Sequence, residues 1–336
     1  MTWLTWRQLR VQATVVYAAV AAAALVLLVT APERAVGMNV YDQLTRTDRN
    51  LYFAGIVVLA LAPALIGAFW GAPLVARELE GGTHRLVWNQ SVTRTRWLAT
   101  RLGIAAAATA AATGLLSLVV TWWAGPIDGV LGTTRGSLPS RLTPVAFAMR
   151  GVAPVGYAVF ALVLGVAAGI VVRRTVPAMA AALALFAFVQ IAVPLWVCPH
   201  LIQPAVRTVD INRETLAGIS FEEPGSAPTL TVAGGAGDWV LSNETVDPAG
   251  RVGLPTWFAT CVPRPGPPSE VEGGPGAIKG RIDTCIARLA ADGYRQRLVY
   301  QPASRFWPLQ WAETGMFLAA SGLLAWFCFR RIRRLS

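Results

Sequence analysis

Lysine occurs once in this 336-residue chain, at Lys279, and histidine twice, at His84 and His200. Only 14% of the residues are charged, too few for the solvated surface of soluble domains of this length. No G-x-x-x-x-G-K-[ST] phosphate loop exists, so ATP is not hydrolysed here by that route. Two histidines and four cysteines, with no closely spaced Cys pair, supply no metal-ligand set. No Asp, Glu, Lys or Arg stands at the centre of a long apolar run, which removes the visible machinery of ion-coupled transport. The carboxylates Asp210, Glu214, Glu222, Glu223 and Asp238 have no Ser/His/Asp set or paired-aspartate motif beside them. They read as solvated surface, and no catalytic, cofactor-binding or metal residue is assigned.

Apolar sequence, by contrast, is plentiful: 54% of residues are hydrophobic and the mean hydropathy is +0.50. Long runs lie at 13–30, 52–76, 102–124, 152–172, 175–197 and 311–329, each near the roughly 20 residues a helix needs to cross hydrocarbon. The expected fold class is a mainly α, polytopic membrane protein with six transmembrane helices. The stretch VTAPERA after the first run is a poor cleavage site, so that run is read as a span and not as a signal peptide.

Charge sets the orientation. With the N-terminus inside, the inner segments hold Arg7, Arg10, Arg77, Arg85, Arg94, Arg96, Arg101, Arg173, Arg174, Arg330, Arg331, Arg333 and Arg334, against the acids Glu78 and Glu80. All remaining basic residues are matched by acids, so the whole net charge of +11 falls on one face, as the positive-inside rule requires. The high pI is therefore a topology signal, and no nucleic-acid partner is implied. Trp3, Trp6, Trp97 and Trp326 fall at inner ends of spans and Trp122, Trp123, Trp196, Trp307 and Trp311 at outer ends, matching an aromatic belt at each interface.

Four regions follow. Residues 1–12 read as an interfacial helix or as a plain basic flank of the first span. Residues 13–197 carry spans one to five, with an inner loop at 77–96. Residues 198–310 are punctuated by turn pairs such as Pro224-Gly225 and Gly234-Gly235 between short pieces such as TLTV and WVLS, and read as a soluble α+β domain outside the membrane. Residues 311–336 form the last span and a basic tail. In an oxidising compartment Cys261 and Cys285 are the natural disulfide pair, although Cys198 is a third external thiol that could replace either.

The loop after the second run, RELEGGTHRLVWNQSVTRTR, is the only long inner one. RELE extends the span, Gly81-Gly82 breaks it, Thr83 can cap a new short helix, and Thr93 can cap the next span. HRLVWNQ makes about two turns, too few for a stable isolated helix, so it needs something to pack against. That something is either headgroups or a cytoplasmic protein. Near the far end, YQPASRFWPLQWAETG leads into the last span, with Trp307 and Trp311 anchoring at the outer interface and Glu313 about one turn inside. Glu313 either pairs with Arg305 or stands at the mouth of a transport path. GAFWG (Gly67 to Gly71) and GVAAG (Gly165 to Gly169) have the spacing of closely approaching helices, in one subunit or across a dimer seam.

The order of elements resembles the type-2 family of ABC (ATP-binding cassette) exporter membrane subunits. The pattern E-x-x-x-G-T, here Glu78, Gly82 and Thr83 with Arg94 and Arg96 following, matches the coupling segment between spans two and three. ARELEGGTHRLVWNQSVTRTRWLATRL and YQPASRFWPLQWAETG are similar to permeases common in high-GC actinobacteria. The resemblance implies ATPase coupling through Glu78, Glu80, Gly82, Thr83, His84, Arg85, Leu86, Trp88, Arg94 and Arg96. It also implies two copies of a separate cytoplasmic ATPase holding ATP and Mg2+, a second permease copy as homodimer or related heterodimer, and export of a drug, antibiotic or lipid from a bacterial plasma membrane with both termini cytoplasmic. Membrane lipids are the remaining expected partner. A reading from a different class is a membrane-anchored sensor or assembly protein that binds a ligand through its external domain.

Overall fold

No glycine or proline interrupts residues 2–29, and in the computed structural model they form one continuous helix, α1 (Thr2–Val29). The separate interfacial helix read over residues 1–12 is the beginning of this rod, because nothing at the expected joint breaks it. Residues 2–30, 46–82, 93–131, 141–221, 228–262 and 274–334 are described.

The chain forms two compact units, one of residues 1–202 with 304–336 and the other of residues 203–303. The first unit continues with α2 (Arg46–Ile66), a π turn (Gly67–Gly71) and α3 (Ala72–Glu80). Then come α4 (Arg94–Leu131), a short α5 (Pro144–Ala148), α6 (Ala153–Val172) and α7 (Thr175–Ala192). A second π turn (Val193–Val197) leads into α8 (Cys198–Leu201), and the last helix is Phe306–Arg333. Among the described residues five segments are long and apolar enough to cross a membrane: Arg49–Glu80, Arg94–Gly125, Ala153–Val172, Thr175–Leu201 and Ala303–Arg333. Within α1 the apolar stretch with described side chains, Val16–Val29, is shorter than these.

α6 is the central rod, 67% buried against 22% for the Thr175–Leu201 span, and it packs on α2 to α4, on α7 and on the last helix. Its small residues make this possible. A Cβ added to Gly67 would stand 2.6 Å from the Ala161 carbonyl oxygen, and one added to Gly169 would stand 2.7 Å from that of Ala72. Added Cβ atoms on Gly71 and Gly165 would collide with the carbonyls of Leu162 and Gly67. GAFWG and GVAAG therefore face one another within a single chain, with backbone against backbone. The π turn, in which the Ala72 N–H reaches back to the Gly67 carbonyl, rotates the end of the second span at this contact.

Not every tryptophan expected at the interfaces faces outward. Trp122, Trp196, Trp307, Trp311 and Trp326 are exposed, as belt residues must be. Trp97 and Trp123 are buried, Trp97 beneath the Arg101 guanidinium at 4.7 Å and Trp123 donating its indole N–H to the Thr30 carbonyl at 3.4 Å.

Among the described residues the second unit holds two antiparallel sheets. β1 (Ala205–Asp210) and β4 (Trp239–Val246) flank β5 (Arg295–Gln301), while β2 (Leu216–Phe221) pairs with β3 (Pro228–Val232). TLTV and WVLS, read as apolar pieces between turns, lie in β3 and β4. α9 (Thr256–Cys261) and α10 (Gly274–Ala291) are joined by the Cys261–Cys285 disulfide beside buried Phe258, Ile286 and Leu289. In the chain-entropy picture a loop of this size contributes about 3 kcal/mol. Gly293, at φ +79°, takes the left-handed conformation that ends α10 before β5. Buried Gln296 ties the sheets together, donating to the Leu230 carbonyl at 2.8 Å and to Asn243 Oδ1 at 2.7 Å. Across β4 and β5 the Arg297 guanidinium hydrogen-bonds Glu244 at 2.6 Å and holds its carboxyl below the ordinary range.

Overpacking of the glycine contact is expected to cost on the order of 1–3 kcal/mol. Gly165→Ala should lower the thermal midpoint of the solubilised protein, measured by scanning fluorimetry. Gly103→Ala, where an added Cβ meets nothing within 4 Å, should leave it unchanged or raise it. Equal midpoints for the two variants would contradict this packing.

Candidate functional site

The second span ends at Glu80, where the Gly81 N–H reaches the Arg77 carbonyl at 3.0 Å and Gly82 adopts φ +68°. Two carboxylates just before that break reach other helices. Glu78 pairs with Arg101 of α4 at 2.5 Å, the side chains 17% and 10% exposed. Arg101 also donates to the Leu74 carbonyl at 3.2 Å and covers the Trp97 ring. Glu80 accepts the Thr175 N–H at 2.8 Å and the Thr175 hydroxyl at 2.6 Å. It thus caps the N-terminus of α7 from a different helix, a task usually left to a local side chain.

The joint between α6 and α7 is short. Arg173 takes φ 59°, a left-handed conformation rare for a residue with a Cβ, while its N–H still reaches the Gly169 carbonyl at 3.0 Å. Arg174 follows in extended backbone and α7 begins at once. At the start of α4, the Thr93 hydroxyl accepts the Arg96 N–H at 3.3 Å, the N-cap its sequence position suggests. One elbow thus gathers the end of the second span, the start of α4 and the start of α7.

Of the residues read as the coupling set, Glu78 and Glu80 lie at this elbow and Gly82 ends it. Arg94 and Arg96 open α4, half-buried and exposed respectively. Thr83, His84, Arg85, Leu86 and Trp88 lie outside the described residues. Arg101 and Thr175, which sequence reasoning did not single out, complete the contacts. Arg101 is the fifth arginine of a basic segment, and nothing in its spacing marks it as the one turned inward.

A second polar cluster lies between α6, α8 and the last helix. Trp307 and Trp311 are exposed and Arg305 ends a short 3-10 turn, but Glu313 is fully buried. Its Oε1 accepts the Tyr157 hydroxyl at 2.7 Å and the Cys198 thiol at 3.1 Å. The pairing of Glu313 with Arg305 does not form: eight residues of helix separate them by about 12 Å along the axis. One turn before Glu313, Gln310 accepts the backbone N–H groups of Val152 and Ala153 at 3.0 and 2.8 Å and donates to the Phe147 carbonyl at 2.7 Å. Ser117 and Thr121 bond Gly151 from the other side, at 2.7 and 3.1 Å. These side chains satisfy a non-helical turn that would otherwise leave buried backbone groups unpaired.

Breaking a buried ion pair by removing one partner costs about 3–5 kcal/mol, far more than replacing both with apolar groups. Glu78→Met and Arg101→Met should each destabilise the protein strongly, and the double variant by much less than the sum, in thermal or denaturant unfolding. Strictly additive effects would show that the pair contributes nothing.

Set beside known proteins, residues 1–198 match the family model described as ABC-2 membrane transporter related. No curated protein and no solved structure matches the chain. The matched region runs from α1 through the elbow to the first residue of α8, and the 203–303 unit lies beyond it in sequence. With more than half of its length in that match and five helices able to cross a membrane, the chain belongs to the ABC-2 membrane transporter related family, as a multi-pass permease.

Proposed function

We propose that this chain is the membrane subunit of an ATP-driven exporter. Permeases of the ABC-2 type usually work with an ATPase partner. In this reading two copies of that partner, holding ATP and Mg2+, seat against the inner loop at 77–96, and a second permease copy completes the pump. α1 supplies the sixth crossing, both termini lie in the cytoplasm of a bacterial cell, and the 203–303 unit is external. The cargo is an amphipathic or hydrophobic compound such as a drug, an antibiotic or a lipid.

The observation that carries this reading is the elbow. A push on residues 83–92 reaches α3 directly, α4 through Glu78 and Arg101, and α7 through Glu80 and Thr175. The glycine contact passes it on to α6. A rigid link from one inner loop to four helices is what a subunit needs when its driving force arrives from outside the bilayer. A surface turn resting on headgroups needs none of it.

Glu80 is exposed, so replacing it should leave the fold intact. In proteoliposomes holding the permease with its co-purified ATPase, Glu80→Ala should cut transport per ATP about tenfold and leave basal hydrolysis unchanged. Wild-type transport by this variant would contradict the proposal, and so would purification without any nucleotide-binding subunit.

A further inference from the structure

The last helix and the residue that caps it carry four arginines within five positions, Arg330, Arg331, Arg333 and Arg334, and all four are exposed. Among the described residues none of them has a carboxylate within ion-pair distance. No acid follows Glu313 in the chain. Glu78 and Glu80 flank Leu79, which packs in the same apolar cluster as Ile332, but they are already engaged with Arg101 and Thr175. At spacings of three and four residues the guanidinium groups are neighbours on the helix and repel one another. The helix dipole offsets part of that repulsion, and an anion set between the groups would relieve it further.

The side of the helix that carries them is fixed by packing. Cys328 and Ile332 are buried in one cluster with Val166 and Ile170 of α6, so they mark the side turned to the bundle. At about 100° per residue the four arginines lie on the opposite side, within about 160° of arc. Leu323, Trp326 and Phe327 are exposed on that same arc, one to two turns earlier. The Arg330 guanidinium lies over the Trp326 ring, 5.3 Å from its centroid. One outward strip therefore passes from apolar to cationic over about 10 Å of helix, at the end of a segment long enough to cross a membrane. A basic flank that only sets orientation needs charge near the membrane surface and neither the ring nor the alignment. Guanidinium groups also meet phosphate with paired, parallel hydrogen bonds, which an ammonium does not.

We propose that this strip is a binding site for an anionic phospholipid, its phosphate held among Arg330, Arg333 and Arg334 and its acyl chains laid along Leu323, Trp326 and Phe327. Arg331, at the edge of the arc, adds charge without closing on the phosphate. The apolar half of the strip selects a lipid over free phosphate, and the unpaired positive charge selects an anionic lipid over a zwitterionic one. An acidic protein surface would satisfy the arginines but would leave the three apolar side chains, which belong to the span, uncovered. The inference needs only that the last helix crosses a membrane, so it stands apart from the export reading.

The test is native mass spectrometry of the purified full-length chain in detergent, titrated with dioleoyl phosphatidylglycerol and, for comparison, dioleoyl phosphatidylcholine. Each guanidinium beside an anionic lipid is worth a factor of about five, so the first phosphatidylglycerol should bind at least about tenfold more tightly than phosphatidylcholine. The triple variant Arg330→Gln/Arg333→Gln/Arg334→Gln should erase that preference, while Arg251→Gln, in the 203–303 unit, leaves it unchanged. Trp326→Ala should weaken phosphatidylglycerol about threefold with every arginine in place. Where the triple variant fails to fold, Arg330→Gln and Arg333→Gln should each weaken it about fivefold. Excess inorganic phosphate should not displace the lipid. Equal affinity for the two lipids, displacement by phosphate, or a preference kept by the arginine variants would overturn the proposal, the last even if those variants lose a co-purified protein.

Discussion

A charge pair in nearly dry surroundings, Glu78 with Arg101, fixes where the second span ends and the third begins. Neither charge is tolerable there alone, so each specifies the position of the other. Once that register is set, Glu80 stands beside the first residue of α7 and caps it, and the adjoining ends of three helices become one object. The 83–92 segment leaves this object at Gly82 and returns to it at Thr93. In the proposed pump, a partner seated on that segment reaches the ends of three helices at once.

The same spans are joined along their length by an absence of side chains. Gly67 and Gly71 on the second span, and Gly165 and Gly169 on α6, let backbones touch where a single methyl would not fit. Lipid provides no hydrophobic drive between helices, so this close packing has to hold the bundle together. The π turn at Gly67–Gly71 adjusts the rotation of the C-terminal part of the span, which sets Glu78 and Glu80 toward α4 and α7. A second π turn, at Val193–Val197, comes just before Cys198 and its contact with Glu313. Both polar sites of the membrane unit thus follow directly on a local widening of a helix.

The positions of five of the six expected spans are legible in the sequence because hydrocarbon imposes a length of about 20 residues and excludes charge, a rule that acts on any short window. The glycine spacing is legible too, but its partner is not: GAFWG and GVAAG suit a dimer seam as well as the contact within one chain that the structure shows. Contacts that depend on which helices become neighbours stay hidden. Gln310 binds Phe147 across 163 residues, and no periodicity links them. Glu313 is visible as an acid near a membrane edge, whereas Tyr157 passes as an ordinary member of an apolar run and Cys198 as a spare thiol of the second domain until the last helix is packed against them. Trp97 and Trp123 look like belt residues by position and turn inward because a guanidinium and a free carbonyl await them.

The most direct measurement of the central claim, that force enters at a cytosolic elbow, is the sidedness of Arg94. Both free cysteines, Cys198 and Cys328, are buried and the other two form a disulfide, so a thiol introduced by Arg94→Cys is read against a quiet background. A membrane-impermeant maleimide should label this variant in inside-out vesicles, and bound ATPase should protect it. Labelling of the same position in intact cells would place the elbow on the wrong side of the membrane and contradict the account.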